Sequence, residues 1–196
     1  MFQVRIHGRG GQGVVTAAEL LSVAAFAEGR HAQAFPSFGS ERTGAPVVAF
    51  CRISDTAIRV REPVMTPDAL IVQDETLLHQ VDVFSGLMPE GYVLINSTRT
   101  FKELGLYDVT VGRPAHRFVT VPATDLALEH LGRPVPNAVL LGAFAALTGM
   151  VTLASVTDAI RDRFSGRLAD GNCAAAKAAH AFVLSQVKEP VDAQAS

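Results

Sequence analysis

Three glycines near the start of the chain are spaced as in loops that hold phosphate groups. Gly8, Gly10 and Gly13 satisfy G-x-G-x-x-G between an apolar, strand-like run and a helix-like run. In such a loop the first glycine permits a tight turn, the second lets the backbone approach a phosphate, and the third lets the helix pack on the strand. The N–H groups at the start of the helix then face the anion. The pattern is compatible with an anion site, with close approach to a cofactor held mainly by another subunit, or with a turn that only packs a helix on a strand.

A dinucleotide site needs a further acidic residue about twenty positions after the glycines, at the end of the second strand, to bind the ribose. The second predicted strand ends at Phe35 and is followed by Pro36 and Ser37, and Glu41 comes later in a loop. Because the fingerprint is incomplete, the sequence disfavours a bound NAD.

The loop after this strand, "PSFGSERTGA", is the second group of residues that could bind a ligand. Arg42 could hold a phosphate or carboxylate through two parallel hydrogen bonds. Ser37 and Ser40 could donate further hydrogen bonds, and Glu41 lies beside the arginine. The alternative is a surface turn whose Glu41–Arg42 pair contributes little.

The elements that must position these residues alternate between apolar strands and helices. Strands are predicted at 3–7, 31–35, 46–53, 57–60, 69–73, 92–96 and 117–123, and helices at 14–28, 76–81, 124–131, within 134–164 and near 172–187. The two strands around Ser54 and Asp55 are predicted to form an antiparallel hairpin. The pattern indicates an α/β fold with a Rossmann-like, mostly parallel sheet, helices on both faces, an inserted β-hairpin and a helical C-terminal third. We expect one domain over residues 1–188 and a disordered tail over 189–196.

Composition limits the possible functions. The net charge is −2 and no basic stripe is visible, so nucleic acid is not an expected partner. Hydrophobic residues make up 48% of the chain; part of this surplus is expected to face partner subunits, and the alternative cause is the high alanine content. The two cysteines, Cys51 and Cys173, lie far apart, so we expect neither a zinc site nor an iron–sulfur cluster held by this chain alone. This cysteine usage and the absence of a signal peptide favour the cytoplasm.

An uncharged run between Arg133 and Asp158 is long enough to span a bilayer. It contains Gly149, which is well placed to end one helix, and Thr152, which is well placed to cap the next. The run therefore predicts two buried helices and no membrane span.

The remaining polar residues do not indicate a catalytic centre. His7 ends the first predicted strand beside the glycine turn; it could reach a ligand, but its expected partner is the backbone. Asp74 and Glu75 follow an apolar strand and are predicted to be helix N-terminal acids. Asn137 and Asn172 are predicted to be helix N-caps. We therefore assign no catalytic acid, base or nucleophile and no metal ligand.

The two ligand-binding stretches also carry a family resemblance. The run "RIHGRGGQGVVTAAELLSVAAFAEGRHAQAFPSFGSERTGAPVVAFCRI" closely resembles the gamma subunit, or gamma domain, of the 2-oxoacid:acceptor oxidoreductases, such as pyruvate:ferredoxin oxidoreductase. The resemblance continues through "PDALIVQDETLL", "GLMPEGYVLIN", "NAVLLGAFAALTG" and "NCAAAKAAHAF", and so covers the chain to about Val187.

The resemblance implies a non-catalytic subunit of a complex that also contains alpha, beta and delta-type subunits. In this family, thiamine diphosphate and 4Fe-4S clusters belong to partner subunits, electrons pass to ferredoxin or NAD, and the acyl group passes to coenzyme A. The gamma domain is implied to cover the coenzyme A entrance and to hold the assembly together. The residues implied to face coenzyme A are Gly8, Arg9, Gly10, Gly11, Gln12, Gly13, Ser37, Ser40, Glu41 and Arg42. The alternatives are an assembly subunit without ligand contact and a free-standing nucleotide-dependent oxidoreductase.

Overall fold

The computed structural model describes residues 1–37 and 43–188. Six strands form one sheet in the order β2-β3-β1-β4-β5-β6. The strands are β1 Phe2–Arg9, β2 His31–Pro36, β3 Pro46–Ser54, β4 Ala69–Val72, β5 Tyr92–Asn96 and β6 Phe118–Val121. β1, β4, β5 and β6 are parallel, and β3 runs antiparallel to both of its neighbours, β1 and β2. The predicted α/β fold with a mostly parallel sheet is confirmed.

The long helices pack together on one face of this sheet. The helices are α1 Val14–Ala27, α2 Tyr107–Thr110, α3 Ala123–Leu131, α4 Asn137–Thr148, α5 Leu153–Arg163 and α6 Gly166–Lys188. Alternate residues of the strands, such as Ile6, Ile71 and Leu94, share one buried cluster with Leu140 of α4 and Val183 of α6. Because side chains alternate between the faces of a strand, the intervening residues form a second core on the other side.

Short segments cover this second face. Leu70, Val72 and Ile95 pack there with Leu77, which belongs to a 3-10 helix over Glu75–His79. The short helix α2 lies on the same face of the sheet, because its residue Val109 packs against this cluster. Helices therefore lie on both faces of the sheet, but the long ones lie on one face only.

The predicted hairpin between residues 46–53 and 57–60 is wrong, because residues 57–60 form no strand. β3 pairs with β2 across the polar loop instead, from His31 opposite Ser54 to Pro36 opposite Ala49. Residues 57–60 belong to an irregular segment, 55–66, which we call the strap. The buried side chain of Arg52 donates to the carbonyl oxygens of Val60 and Glu62. These hydrogen bonds to a side chain hold the strap in an irregular conformation, in place of the predicted strand.

The C-terminal helices follow the sequence prediction in most respects. α4 is followed by Gly149 in the left-handed conformation at φ 63°, and the Thr152 hydroxyl caps α5 by accepting from the Ser155 N–H. The uncharged run thus divides into two helices, and no helix within residues 1–37 and 43–188 has the length and apolar character that a bilayer crossing needs.

The predicted N-caps need correction. Asn172 lies inside α6, where its amide donates to the Leu168 carbonyl at 2.9 Å, and the helix begins earlier, at Gly166. Asn137 is the first residue of α4, and its Oδ1 accepts from the next N–H in the chain at 2.8 Å.

Candidate functional site

The carboxyl ends of the parallel strands meet at one edge of the sheet, where α/β folds place their ligands. A crevice of about 280 Å³ lies at this edge. It is lined by Gln12, Gln73, Asp74, Glu75, Asn96, Ser97, Thr98, Pro122, Thr124 and Asp125. Gln12 belongs to the glycine turn, Asn96 is the last residue of β5, and the other residues follow β4, β5 and β6. The fold therefore brings the predicted glycine turn to the rim of a polar cavity.

Packing requires two of the three motif glycines. A Cβ on Gly8 would stand 2.5 Å from Val14 Cγ2 and 3.1 Å from Gln73 Oε1. Gly13 precedes α1 at φ 71°, a left-handed conformation that L side chains rarely adopt, and a Cβ there would collide with the Asn137 amide. The packing alternative thus accounts for Gly8 and Gly13. Gly11, which is not one of the three motif glycines, is exposed to solvent.

The middle glycine of the motif pairs with the end of the polar loop. The Gly10 N–H donates to the Ala45 carbonyl at 2.9 Å, and the Gly44 N–H donates to the Gly10 carbonyl at 3.0 Å. The two stretches predicted to bind a ligand therefore meet at this point. Ser37 is exposed, and its N–H donates to the Val48 carbonyl at 2.8 Å.

Three of the predicted ligand residues, Ser40, Glu41 and Arg42, lie outside the described residues.

Arg9 and Asp74 clamp the glycine turn to the end of β4. Arg9 Nε lies 3.2 Å from Asp74 Oδ2, and its Nη1 donates to the Gly44 carbonyl at 3.0 Å. Gln12 bridges the two strand ends, because its Oε1 accepts from the Arg9 N–H at 2.7 Å and its Nε2 donates to Asp74 Oδ2 at 2.8 Å. Burial alone would raise the pKa of Asp74, but hydrogen bonds from Thr76 and Gln12 lower it below its usual value. Asp74 is therefore an ionised anchor of the turn.

Gln73 is the least satisfied buried residue of the site. Its side chain is only 1% exposed, yet neither Oε1 nor Nε2 has a hydrogen-bond partner within the described residues. It lies beneath Gly8 and lines the crevice. An unpaired buried polar group costs about 1–3 kcal/mol, so such a group calls for a functional explanation.

The far side of the crevice is held by a second set of hydrogen bonds. Asn96 Nδ2 donates to the Gln73 carbonyl at 2.9 Å and to Thr124 Oγ1 at 2.7 Å, and its Oδ1 accepts from the Thr124 N–H. Glu75 accepts from the Ser97 hydroxyl and pairs with Arg99 at 2.7 Å. Glu75 and Asp74 thus both have cationic partners, whereas Asp125, the third carboxylate of the lining, forms no ion pair within the described residues. The other polar groups of the lining are amides and hydroxyls.

The prediction of Asp74 as a helix N-terminal acid is confirmed, because its Oδ1 accepts from the Thr76 N–H at 3.0 Å. The expected backbone partner of His7 is wrong. His7 is buried, and its Nε2 accepts from Arg5 Nε at 3.1 Å. Burial and the Arg5 charge lower the pKa of His7 to about 4, so the imidazole is neutral at physiological pH.

Sequence reasoning missed the other half of the crevice. The sequence analysis gave no role to Asn96, Ser97 and Thr124, although Asn96 ends β5, Ser97 follows it and Thr124 lies in the first turn of α3. The available signal was a polar run after a fully apolar strand, because such strand ends gather at the ligand edge.

The strand order argues against a dinucleotide site. β3 lies between β1 and β2, so the end of β2 is two strand spacings, about 10 Å, from the end of β1. A ribose-binding acid at the end of β2 would not lie beside the glycine turn. The parallel neighbour of β1 is β4.

The cysteines lie in separate elements, Cys51 in β3 and Cys173 in α6, and both are buried. Burial raises the pKa of Cys51 to about 12. These two thiols do not fit an iron–sulfur cluster, which needs several converging thiolates. In the part of the chain that the structure describes, no three or more His, Cys, Asp or Glu side chains are grouped to hold a metal ion.

The fold and site together define a Rossmann-like α/β domain with a polar ligand crevice beside a glycine turn. The family model for pyruvate ferredoxin/flavodoxin oxidoreductase matches residues 3–182. The chain is 49% identical over 180 residues to the pyruvate synthase subunit PorC of Methanothermobacter marburgensis, covering 92% of this chain and 96% of that protein. It is 46% identical to the pyruvate/ketoisovalerate oxidoreductases common subunit gamma of Pyrococcus abyssi, covering 96% of this chain and 100% of that protein.

A solved structure agrees with these relatives. The crystal structure of the pyruvate oxidoreductase subunit PORC from Thermotoga maritima superposes with a TM-score of 0.78 at 36% identity, covering 92% of this chain and 95% of that one. The chain therefore belongs to the pyruvate ferredoxin/flavodoxin oxidoreductase family, as a gamma-type subunit of an oxidoreductase complex.

Proposed function

We propose that this chain forms the coenzyme A side of the active site in a complex that oxidatively decarboxylates a 2-oxo acid to an acyl-CoA. Thiamine diphosphate and 4Fe-4S clusters belong to alpha, beta and delta-type partners, and electrons pass to ferredoxin or NAD. The chain contributes binding groups and an assembly interface, and no catalytic acid, base or nucleophile.

The observation that carries this proposal is the unpaired Gln73 amide beneath the glycine turn. A bound molecule that offers both a donor and an acceptor would favour a small shift of this amide toward the crevice. The pantetheine arm of coenzyme A carries two amides, and its ribose carries a hydroxyl. The crevice lining of amides and hydroxyls suits those groups, whereas the N–H groups at the start of α1 suit a phosphate.

The polar loop supplies the remaining part of the proposal. The hydrogen bonds of Gly10 to residues 44 and 45 join this loop to the glycine turn. Ser37, Ser40, Glu41 and Arg42 are proposed to complete the wall, with Arg42 on a coenzyme A phosphate. A charge-assisted hydrogen bond contributes about 1.5–3 kcal/mol.

The main alternative is an assembly subunit that touches no ligand. The packing roles of Gly8 and Gly13 favour it, because they explain two glycines without a ligand. They leave the Gln73 amide unexplained. A free-standing dinucleotide enzyme is disfavoured by the position of β3 between β1 and β2.

The test is steady-state kinetics on the intact complex, with 2-oxo acid and coenzyme A varied separately. Arg42→Ala should raise the coenzyme A requirement roughly ten- to a hundredfold, with little change for the 2-oxo acid. Arg42→Lys should recover part of the loss, because lysine keeps the charge but not the forked geometry. Arg61→Ala is the matched control, since Arg61 is exposed on the strap. An unchanged coenzyme A requirement in an intact Arg42→Ala complex would favour the assembly role.

A further inference from the structure

A second recess lies on the helical side of the molecule. Two adjoining cavities, of about 180 and 280 Å³, share Leu131, Arg133 and Leu168. We call the combined recess the arginine groove. Its apolar floor consists of Leu131, Val135, Phe164 and Leu168, and its rim carries Arg133, Arg163 and Arg167.

The three arginines of this groove form no direct ion pair in the described part of the chain. Within residues 1–37 and 43–188, no carboxylate lies within 4 Å of the guanidinium groups of Arg133, Arg163 or Arg167. Arg167 lies in the first turn of α6, and this turn contains no acidic residue. A helix N-terminus already carries a partial positive charge, so an arginine there is intrinsically unfavourable and strengthens the local positive potential.

The apolar floor is accessible as well. Leu168 is 41% exposed, and Leu128, one helical turn before Leu131, is 46% exposed. The Arg163 guanidinium lies 5.7 Å from the centre of the Phe164 ring, which places a cation against an aromatic part of the floor. An apolar floor with a cationic rim is typical of protein interfaces, where arginine and large apolar side chains contribute most of the binding free energy.

We propose that the arginine groove docks an acidic segment of another subunit of the complex, with an apolar side chain on the floor and flanking carboxylates on the arginines. A free phosphate compound is the less suitable occupant, because it would leave the leucines and Phe164 without an apolar partner. The proposal goes beyond the coenzyme A role and does not depend on it.

The experiment uses the intact complex with a photoreactive phenylalanine analogue in place of Leu168, and mass spectrometry of the cross-linked peptide. The expected product is a peptide of a different subunit with Asp or Glu within a few residues of an apolar residue. The double variant Arg133→Glu and Arg167→Glu should lower the affinity of the complex for that same subunit at least tenfold in native mass measurements. The salt dependence of this affinity, which the wild-type complex should show, should disappear. Arg59→Glu together with Arg61→Glu, on the exposed strap, is the matched control.

Several outcomes would overturn the proposal. Cross-links to residues 189–196, in the same chain or in a second copy, would make the groove a site for this chain's own sequence and not for another subunit. The absence of any inter-subunit cross-link, or an unchanged complex after charge reversal, would also refute it. Protection of the groove from cross-linking by free coenzyme A or inorganic phosphate would assign it to a small anion. The coenzyme A role is tested by the kinetics of the Arg42 variants and the docking role by cross-linking and subunit retention, so each proposal can fail without the other.

Discussion

At Gln73, the requirements of folding stability and of ligand binding are opposed, because the buried amide is unpaired in the fold and is proposed to bind coenzyme A. An unpaired amide costs about 1–3 kcal/mol, and its replacement by an apolar side chain of similar size removes that cost. We therefore expect Gln73→Met to raise the free energy of unfolding of the chain by about 1 kcal/mol and to raise the coenzyme A requirement of the complex. Urea unfolding and steady-state kinetics measure the two effects. Gln186→Met, on the exposed surface of α6, is the control. A loss of stability in Gln73→Met would mean that the amide is already paired in solution.

The buried pair of His7 and Arg5 makes stability depend on pH. The pKa of His7 is about 4 in the folded chain, below its ordinary value of 6.5, because of burial and the nearby Arg5 charge. The unfolded chain therefore binds a proton that the folded chain does not between these pH values. This stabilising contribution is complete above pH 6.5 and is lost as the pH falls toward 4, by about 3 kcal/mol.

We expect His7→Gln to make the pH dependence of unfolding shallower over this range, because glutamine can accept from Arg5 Nε but does not titrate. Urea unfolding at pH 7 and at pH 4 provides the measurement. Equal losses of stability in wild type and variant would show that other groups account for the acid sensitivity.

At the scale of elements, the strap shows why the sequence predicted one strand too many. Residues 57–60, "AIRV", carry the apolar and β-branched residues of a strand, and no local signal separates them from one. The Arg52 side chain, in the preceding strand β3, donates to the carbonyl oxygens of Val60 and Glu62 in the strap. The apolar pattern of residues 57–60 cannot show that a side chain of β3 takes the place of a neighbouring strand. The four parallel strands β1, β4, β5 and β6 were predicted because each is an apolar run that both cores bury.

Replacement of Arg52 should release the strap. In Arg52→Leu, the carbonyls of Val60 and Glu62 lose their donor, so we expect a loss of about 2–3 kcal/mol in the free energy of unfolding. Trypsin should also cleave faster after Arg59 and Arg61 under native conditions. Arg161→Leu, which breaks only an exposed pair on α5, should leave both quantities nearly unchanged. Cleavage rates equal to wild type in Arg52→Leu would show that other contacts hold the strap.

At the scale of the molecule, the sequence predicted the fold class and the position of the glycine turn, but only half of the crevice. The turn is local, so its spacing is visible in one stretch. The crevice joins Gln12 to residues after β4, β5 and β6, which lie up to about a hundred positions away and converge only through the strand order. The unpaired state of Gln73 is likewise a property of the packed structure.

The whole chain should act only within its complex. The crevice lining contains amides, hydroxyls and carboxylates, and these groups can bind and orient a substrate but cannot carry a two-electron oxidation. We therefore expect the purified chain to reduce no dye when supplied with a 2-oxo acid and coenzyme A. The remaining subunits alone should show little coenzyme A-dependent turnover, and recombination with this chain should restore it. Steady dye reduction by the purified, monodisperse chain would contradict the proposal that this subunit contributes no catalytic group.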